Sequence, residues 1–435
     1  MKINLLFSND QAGEYPNSYY ADTATKVTKT ASLKGDHKTT VCVIGGGYTG
    51  LSAALHLAQA GIEVTLLEAH RLGFGASGRN GGQVGSGQRR DQIELEQILE
   101  PAHARRLWDL AQEAKQLVRD LISIHNMPVT FTEGVAHACR RPDEVKGCHK
   151  LAEKLAQQYG YDQIEILDKA GIRDLMGSLA FHGGEIDWGA GHIHPLNFAI
   201  GIGEAAKGAG AQIFESTLVT KIETGAQSII TTSQGKVRAD HVILACNGYL
   251  GDLAPKVSAR VMPINNFIIA TEPLGENAVH ILAKPVAVAD TQFLVNYWRL
   301  SDDNRLLFGG GESYGYRFPD IVKTVTKPML KIYPQLAQTK IDYAWGGTLA
   351  ITMNRLPNFQ KLKGQIWSAS GYSGHGVAIA TLAGRLMADA IQGQAEGFDL
   401  MSSLPQPRFP GGTLMRWPLL VLAMTWYEMR DRLGR

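Results

Sequence analysis

The sequence predicts a mixed α/β fold in which a domain with a parallel sheet is interlaced with a second domain built on an antiparallel sheet. A β-branched strand, a glycine-rich loop, an apolar helix and a second strand follow one another from Thr40 to Leu67, which is the order of a βαβ unit. Residues 252–350 are instead rich in short strands. Because nucleotide-domain patterns occur on both sides of that region, two interlaced domains explain the order better than two consecutive ones.

The domain boundaries follow from these patterns along the 435 residues. The polar N-terminal segment predicts an arm that lies on the body, and an amphipathic helix predicted over Glu96 to Ile124 opens the second domain. We assign residues 1–37 to the arm, residues 38–95, 186–251 and 356–400 to a cofactor-binding domain, residues 96–185 and 252–355 to a substrate domain, and residues 401–435 to a C-terminal arm or helix.

Composition argues against several classes of protein. Lys and Arg number 43 against 41 Asp and Glu, so the charge gives no sign of a nucleic-acid partner. The four cysteines are widely spaced and predict neither a zinc site nor a disulfide framework. No apolar run approaches the roughly 20 residues of a membrane span, and no secretory signal is recognised, so we expect a cytoplasmic protein. The apolar C-terminal stretch WPLLVLAMTWY is expected to pack on the body, with contact to a membrane surface as the alternative.

The loop GGGYTG at residues 45–50 carries the strongest functional signal. Gly45 permits the tight turn, Gly47 lets backbone N–H groups approach a pyrophosphate at the helix N-terminus, and Gly50 lets helix and strand pack closely. Glu68 ends the next strand, where its carboxylate can accept hydrogen bonds from ribose hydroxyls and would repel a 2′-phosphate. The unit predicts a Rossmann-like site for FAD or NAD rather than NADP.

A second glycine loop narrows the cofactor to FAD. The segment GYSGHG at residues 371–376 precedes an apolar helix predicted from Val377 to about Ile391. Its glycines allow close backbone approach, and the positive end of the helix suits the negative charge of a reduced flavin. Alone, such a glycine loop more often has a structural role than a cofactor-binding one. The strand and turn VILACNGYL at residues 242–250 are, alone, about as likely to be structural as to contact a nucleotide. In combination with the first loop, they favour FAD.

Six segments together resemble the D-amino-acid-oxidase-type family of FAD enzymes. The FAD motifs are typical of the whole family, whereas SGRNGGQ and the two termini resemble a smaller group within it. The likeness runs from Ser18 to Gly434. The segments are GGGYTG (45–50), GFGASGRNGGQ (73–83), GAGHIHPLN (189–197), DNRLLFGGG (303–311), GYSGHG (371–376) and FPGG (409–412).

The resemblance implies an enzyme in which FAD accepts a hydride from an amine and the imine hydrolyses to an aldehyde. It also implies a γ-glutamylated diamine as the favoured substrate, with O₂ or a quinone as electron acceptor. Relatives with covalent flavin use a cysteine near the stretch matching WGGT at residues 345–348, where this chain has none, so noncovalent FAD is expected.

The same resemblance bears on the substrate. Amino-acid oxidases of the family place an arginine near that stretch to bind the substrate carboxylate, and here only Arg355 is near, several residues later. We therefore expect an amine without a carboxylate on its reacting carbon. Asn265 and Asn266 stand where some relatives carry a pocket base, which leaves oxidase and dehydrogenase both open.

Cofactor contacts are expected along all of these motifs. Arg79 and Asn80 are expected against the pyrophosphate or the flavin, with a solvated loop arginine as the alternative. The expected set is Gly45, Gly47, Tyr48, Thr49, Gly50, Glu68, Ser77, Gly78, Arg79, Asn80, Gly81, Gly82, Gln83, Val219, Asn247, Gly248, Gly371, Ser373, Gly374, His375 and Gly376.

Aromatic side chains are the candidates for the substrate side of the site, because they attract an approaching ammonium group. They are Tyr297, Trp298, Trp345 and Tyr372, and each is otherwise a core aromatic. His375, at a predicted helix start, is the fifth catalytic candidate and is expected to be neutral and to contact the flavin.

His192 and His194 could suggest metal ligands. No third ligand is spaced near them, so a capping role before Pro195 is favoured and no metal is expected.

Two other functions stay open at this point. An NAD-dependent dehydrogenase would use the first glycine loop alone, and a non-catalytic FAD-binding protein would use both loops without a substrate. Within the FAD enzymes, an amino-acid or N-alkyl amino-acid oxidase or dehydrogenase that passes electrons to a quinone is the alternative to an amine oxidase.

Overall fold

Two β-sheets and their covering helices make up the protein in a computed structural model that describes residues 5–313 and 315–412. This architecture confirms the mixed α/β prediction. The strands are β1 (Gly35–Ile44), β2 (Val64–Leu67), β3 (Gln83–Val84), β4 (Thr132–Ala138), β5 (Ile164–Leu167), β6 (Gly184–His192), β7 (Gln212–Phe214), β8 (Val219–Glu223), β9 (Ser228–Thr232), β10 (Gly235–Leu244), β11 (Met262–Thr271), β12 (Ala287–Asp290), β13 (Tyr297–Leu300), β14 (Leu306–Ser313), β15 (Ile341–Ile351), β16 (Asn358–Leu362) and β17 (Ile366–Ser370).

The helices mostly begin at identifiable sequence signals. Pro opens four of them at the first turn, where its missing N–H costs nothing. They are α1 (Tyr19–Thr23), α2 (Tyr48–Gln59), α3 (Gln92–Ile98), α4 (Pro101–Ile124), α5 (Pro142–Tyr159), α6 (Lys169–Met176), α7 (Pro195–Gly208), α8 (Pro255–Ser258), α9 (Ile321–Ile332), α10 (Gly376–Ile391) and α11 (Glu396–Ser402).

The first sheet is the predicted parallel sheet. Its strand order is β16-β17-β10-β1-β2-β7, with β8 and β9 extending from β10, and the pairs from β17 to β7 are parallel. Side chains of β1 alternate between two cores: Val41 and Val43 face α2 and α10, while Cys42 and Ile44 face the opposite side. Burial on both faces explains the continuous apolar run of this strand.

The second sheet has the order β15-β11-β14-β13-β12-β4-β6-β3, with β5 beside β6. Its pairs are antiparallel except for β12 with β4. One face packs on α6 and α9 through residues such as Trp298 and Phe308. The other face turns toward the first sheet and forms part of the cavity described below.

Several elements differ from the sequence-based expectation. The helix predicted over Glu96–Ile124 is two helices, α3 and α4, because Pro101 cannot donate the hydrogen bond that a continuous helix needs there. The helix α9 lies in a region predicted as strands, and it contains Pro328. Strand β3 and most of β6, which fall in ranges assigned to the cofactor domain, lie in the second sheet.

The N-terminal arm lies on the body, as its polar sequence predicts. Tyr20 is fully buried, and the Leu33 N–H donates to Thr217 Oγ1 at 3.0 Å. The apolar C-terminal stretch from Trp417 falls outside the described residues. None of the described helices is long and apolar enough to cross a membrane.

Candidate cofactor and substrate site

A cavity of about 850 Å³ lies where the parallel strands of the first sheet end and face the second sheet. Its walls include the last residues of β1 and β2, Ile44 and Leu67, and Ala245 just after β10. Ligands of open α/β sheets bind at these carboxyl ends. Both predicted glycine loops open on this one cavity.

The first glycine loop makes a tight turn and brings the helix close to neighbouring backbone, as predicted. Gly45 has a φ of 110°, and a Cβ on Gly50 would lie 1.9 Å from the Gly45 carbonyl oxygen. Gly47 is the N-cap of α2, and the next N–H, that of Tyr48, donates to Ser77 Oγ at 3.0 Å. The positive end of α2 therefore points into the cavity through a loop without side chains, a cradle that suits a pyrophosphate.

Glu68 lies beside this loop with both carboxylate oxygens engaged by backbone. One oxygen accepts from the Gly46 N–H at 2.7 Å and the other from the His70 N–H at 2.8 Å. Burial raises the pKa of Glu68 to about 7, against the lowering effect of these two hydrogen bonds. Each oxygen retains a lone pair, so the carboxylate can also accept from ribose hydroxyls, as the sequence predicted.

The second glycine loop forms the other end of the cofactor region. Gly371 has a φ of 74°, and its N–H donates to Asn247 Oδ1 at 3.0 Å, so the predicted turn after β10 supports this loop. Tyr372 is buried, with its hydroxyl 2.7 Å from Thr49 Oγ1 at the start of α2. The two glycine loops are thus joined side chain to side chain.

His375 is the N-cap of α10 and lines the cavity. Burial, and after it the charge of Arg89, lowers its pKa to about 4, so the ring is neutral as expected. Its Nε2 is buried and has no hydrogen-bond partner among the described residues, and the same holds for Nη2 of Arg79. Both residues belong to the cavity wall, where a polar cofactor such as a flavin could supply partners for them.

Arg79 is held more firmly than a loop arginine in solvent. Its Nη1 pairs with Asp10 of the N-terminal arm at 3.0 Å and donates to the Gly346 carbonyl oxygen at 3.0 Å, and its Nε donates to Phe74. Asn80 is engaged locally, because its amide donates to two nearby carbonyls and its Oδ1 accepts from the Gly82 N–H. Both residues line the cavity.

Most of the expected cofactor residues lie on the cavity wall, and five glycines lie just behind it. At those five a Cβ would approach a neighbouring residue too closely, so they serve packing of the loops rather than contact with a ligand. They are Gly50, Gly78, Gly82, Gly248 and Gly371. The rest of the expected set lines the cavity.

The two neighbouring aromatics of β13 separate to opposite faces of the second sheet. Tyr297 lines the cavity, and its hydroxyl donates to Asn266 Oδ1 at 2.5 Å. Trp298 is buried on the other face, stacked between Phe181 and Phe308. Successive side chains of a strand point to opposite faces, so the expectation that both line one pocket is corrected: Trp298 belongs to the core.

Trp345 also lies away from the cavity wall. Its ring packs against Tyr20 with centroids 5.3 Å apart, and its Nε1 donates to the Arg79 carbonyl oxygen at 3.1 Å. On the same strand, Gly347 and Leu349 line the cavity in its place. The N-terminal arm covers Trp345, which its own strand pattern could not reveal.

His194 caps a helix, as favoured by the sequence. It is the N-cap of α7, and its Nδ1 accepts from the Asn197 N–H at 3.1 Å. His192 lies 3.2 Å from the Pro285 carbonyl oxygen. Among residues 5–313 and 315–412, no group of three or more possible ligands is arranged to hold a metal ion.

A polar cluster that the sequence analysis did not select reaches the cavity wall through Asp187 and Ser86. Asp187 accepts from the Tyr161 hydroxyl at 2.5 Å, and Lys115 donates to that hydroxyl at 2.9 Å and to Ser86 Oγ at 2.6 Å. Burial lowers the pKa of Lys115 to about 8. A sequence signal existed, because Lys115 stands in the apolar stripe of α4 between Ala111 and Val118.

Three arginines besides Arg79 line the cavity: Arg89, Arg90 and Arg355. Arg90 donates to the Asn354 carbonyl oxygen at 2.6 Å. Arg355 has a φ of 63°, and its guanidinium lies 5.6 Å from the Phe293 ring centre. Arg355, the arginine that the sequence analysis considered near residues 345–348, is therefore one of four arginines on the cavity wall.

A family model described as FAD dependent oxidoreductase matches residues 40–390. The chain is 41% identical over 424 residues to a protein named gamma-glutamylputrescine oxidoreductase from Escherichia coli (strain K12), covering 97% of this chain and 99% of that one. It is also 41% identical over 402 residues to a probable oxidoreductase OrdL from Rhizobium meliloti, covering 92% and 94%. A crystal structure of glycine oxidase from Geobacillus kaustophilus superposes with a TM-score of 0.72 at 20% identity, covering 86% of this chain and 100% of that one. That likeness shows the fold alone.

Proposed function

The chain belongs to the FAD-dependent oxidoreductase family, whose model spans residues 40–390, and from that membership we propose that it oxidises an amine, with γ-glutamylputrescine or a related γ-glutamylated diamine as substrate. One observation carries the proposal: the cavity on which both glycine loops open belongs to a chain 41% identical to gamma-glutamylputrescine oxidoreductase from Escherichia coli over nearly its whole length. We further propose imine hydrolysis to an aldehyde and O₂ as electron acceptor, giving H₂O₂.

The cofactor residues divide by the part of FAD that they fit. Gly45, Gly47 and the start of α2 suit the pyrophosphate, Glu68 suits the ribose, and His375 with the start of α10 suits the flavin ring. When bound, FAD accepts the hydride. We propose noncovalent binding, because no cysteine occurs in the stretch at residues 345–348 that matches the site of attachment in covalent relatives.

Tyr297 and Asn266 are the residues we propose to orient the amine. The Tyr297 hydroxyl donates to Asn266 and keeps a lone pair for an N–H of the substrate. Burial raises the pKa of Tyr297, so its hydroxyl stays protonated and orients the amine rather than acting as a base. The aromatic ring would also favour an ammonium group arriving in the cavity.

An α-amino acid or N-alkyl amino acid is the second candidate substrate, with a quinone as acceptor. Arg355 favours it, because this arginine does line the cavity and could bind a carboxylate. The γ-glutamylated diamine is preferred on the identity with the relative named above.

Anaerobic flavin bleaching tests the proposal directly. We expect γ-glutamylputrescine to bleach the FAD-loaded protein faster than putrescine, glycine, sarcosine, L-proline or D-alanine. Faster bleaching by an amino acid would replace the proposal with the second candidate, and flavin that no amine or amino acid reduces would indicate a non-catalytic binding protein. An oxygen electrode with peroxide detection then distinguishes O₂ from a quinone as acceptor.

A further inference from the structure

Arg89 is an exposed side chain that lines the cavity. Its pKa is lowered, first by desolvation and then by the charge of Arg355. Its guanidinium is therefore accessible to a ligand in the cavity.

Arg89 also differs from its neighbours in its hydrogen bonds and ion pairs within the described residues. Arg79 pairs with Asp10, and Arg90 donates to Asn354 and lies 3.8 Å from Glu94. In the part of the chain that the structure describes, Arg89 forms no hydrogen bond or ion pair. Five N–H donors in a planar fork are therefore available to a ligand, in the geometry that matches a carboxylate.

The electrostatic surroundings of Arg89 favour an anion. After burial, the second cause that lowers its pKa is the positive charge of Arg355, which also lines the cavity, while Glu94 and Glu312 offset part of this repulsion. Positive charges that are close together repel each other, and an anion placed between them relieves that repulsion. A ligand carboxylate would supply that anion.

Arg89 lies on the segment that passes His375, the residue assigned to the flavin side of the cavity. A Cβ on Gly85 of this segment would lie 2.5 Å from His375 Cε1, and the charge of Arg89 contributes to the lowered pKa of His375. Arg89 follows Gly87 and precedes α3, whereas the pyrophosphate cradle at Gly47 is at the start of α2.

We propose that Arg89 is a specificity-determining residue that binds the α-carboxylate at the glutamyl end of the substrate, remote from the carbon that is oxidised. The inference rests on the proposed function and deepens it. A γ-glutamylated diamine carries one free amine at one end and an amino-acid group at the other. Arg89 would recognise the second end while the first lies at the flavin, so the enzyme would discriminate against free putrescine.

The test uses two ligands that differ only in the carboxylate and that cannot be oxidised at the far end. They are γ-glutamyl-n-butylamide and 4-aminobutyryl-n-butylamide, titrated into the FAD-loaded protein and followed by the change in flavin absorbance. We expect wild type to bind the first ligand about 10- to 100-fold more tightly, the range for a charge-assisted hydrogen-bonded pair. In Arg89→Gln that ratio should fall to about one, and Arg89→Lys should retain part of it because the charge is kept.

Arg105→Gln is the matched control, because Arg105 is an exposed arginine of α4 paired with Asp109, outside the cavity. Its ratio should equal that of wild type. The inference is overturned if Arg89→Gln keeps the wild-type ratio, if it weakens both ligands equally, or if wild type does not bind the carboxylate ligand.

Bleaching by γ-glutamylputrescine, measured on the same preparations, keeps the two proposals distinguishable. If bleaching occurs and the ligand ratio is unchanged in Arg89→Gln, only the role of Arg89 is rejected. If wild type prefers the carboxylate ligand through Arg89 but an amino acid bleaches the flavin faster than γ-glutamylputrescine does, only the proposed substrate is rejected.

Discussion

The nucleotide end of the cavity is built from backbone, whereas the substrate end is built from side chains. At the first, Gly45, Gly47 and the start of α2 come from one short segment, and their fit depends on missing side chains. At the second, Asn266 and Tyr297 lie 31 residues apart on different strands. A contiguous loop leaves a motif in the sequence, and a surface assembled across a sheet does not. The contrast predicts that substitutions at the two ends fail in different ways.

The largest effect is expected at Gly50, where backbone contact is closest within the first glycine loop. Gly50→Ala would place a methyl group 1.9 Å from the Gly45 carbonyl oxygen, which no side-chain movement relieves. We expect loss of bound flavin and a loss of more than about 4 kcal/mol in the free energy of unfolding. Flavin content and thermal unfolding of the soluble fraction measure both.

Gly61→Ala is the control for this substitution. Gly61, unlike Gly50, has a positive φ, 75°, and a Cβ there would meet nothing within 4 Å. It should cost about 1–2 kcal/mol from backbone conformation alone and leave flavin content unchanged. Equal behaviour of the two variants would refute the view that close approach, rather than glycine itself, builds the nucleotide end.

The next effect separates the two aromatics of β13. Tyr297→Phe removes the hydroxyl that we propose to orient the amine, so anaerobic flavin reduction should slow about 10- to 100-fold with little change in stability. Trp298→Phe, on the opposite face, should lower the free energy of unfolding by about 1–3 kcal/mol and leave flavin reduction unchanged. Stopped-flow reduction and urea unfolding distinguish them. A slower reduction in Trp298→Phe than in Tyr297→Phe would overturn the assignment of faces.

A smaller effect tests Glu68 through pH. The pKa of Glu68 is about 7, above the ordinary value. Only the ionised carboxylate can accept hydrogen bonds from ribose hydroxyls on both of its oxygens. FAD binding therefore lowers this pKa, and the dissociation constant should rise as pH falls below about 7, by at most about tenfold per pH unit. Glu68→Gln should bind FAD more weakly at pH 8 and show a flatter profile. Equal slopes would contradict the assigned role.

The smallest effect concerns Lys115, a buried residue of α4 that donates a hydrogen bond to the cavity-lining Ser86. Its pKa in the folded state is about 8, below the 10.5 of the unfolded chain, so the unfolded state binds more protons between these values. The free energy of unfolding should gain a positive slope with pH between about pH 8 and 10.5 in wild type, and Lys115→Met should lack that contribution. Urea unfolding at the two ends of the window gives the difference, and identical slopes would rule out a buried ammonium.

The predictions for the nucleotide end rest on local rules for glycine, strand ends and helix dipoles. The turn at Gly45 is observed, with a φ of 110°, whereas the roles of Glu68 toward ribose and of His375 toward flavin stay predictions. Single residues within motifs were less predictable, because glycines such as Gly82 turn out to pack against Ile193 rather than line the cavity. Which glycine faces a ligand depends on the neighbouring segments.

The substrate end was predictable only in part. The alternation of a strand implies that Tyr297 and Trp298 cannot share a pocket, so this correction was available from the sequence. The burial of Trp345 was not, because the residue that covers it, Tyr20, belongs to an arm more than 300 positions away. The role proposed for Arg89 depends on its place in the cavity wall, which is a property of the assembled cavity.

The pairing of β1 with β10 has a consequence for the order of synthesis. Val41 pairs with His241, which the ribosome adds 200 residues later, and Tyr372 completes the link to Thr49 later still. At a synthesis rate of about 5–20 residues per second, β10 becomes available to β1 and the first glycine loop only on the order of tens of seconds later. Of the two glycine loops, the first is translated earlier, but its contacts with β10 and Tyr372 form only after those later segments have been made. Riboflavin supplied while the protein is being synthesised should therefore raise the yield of native protein more than FAD added to the folded protein afterwards.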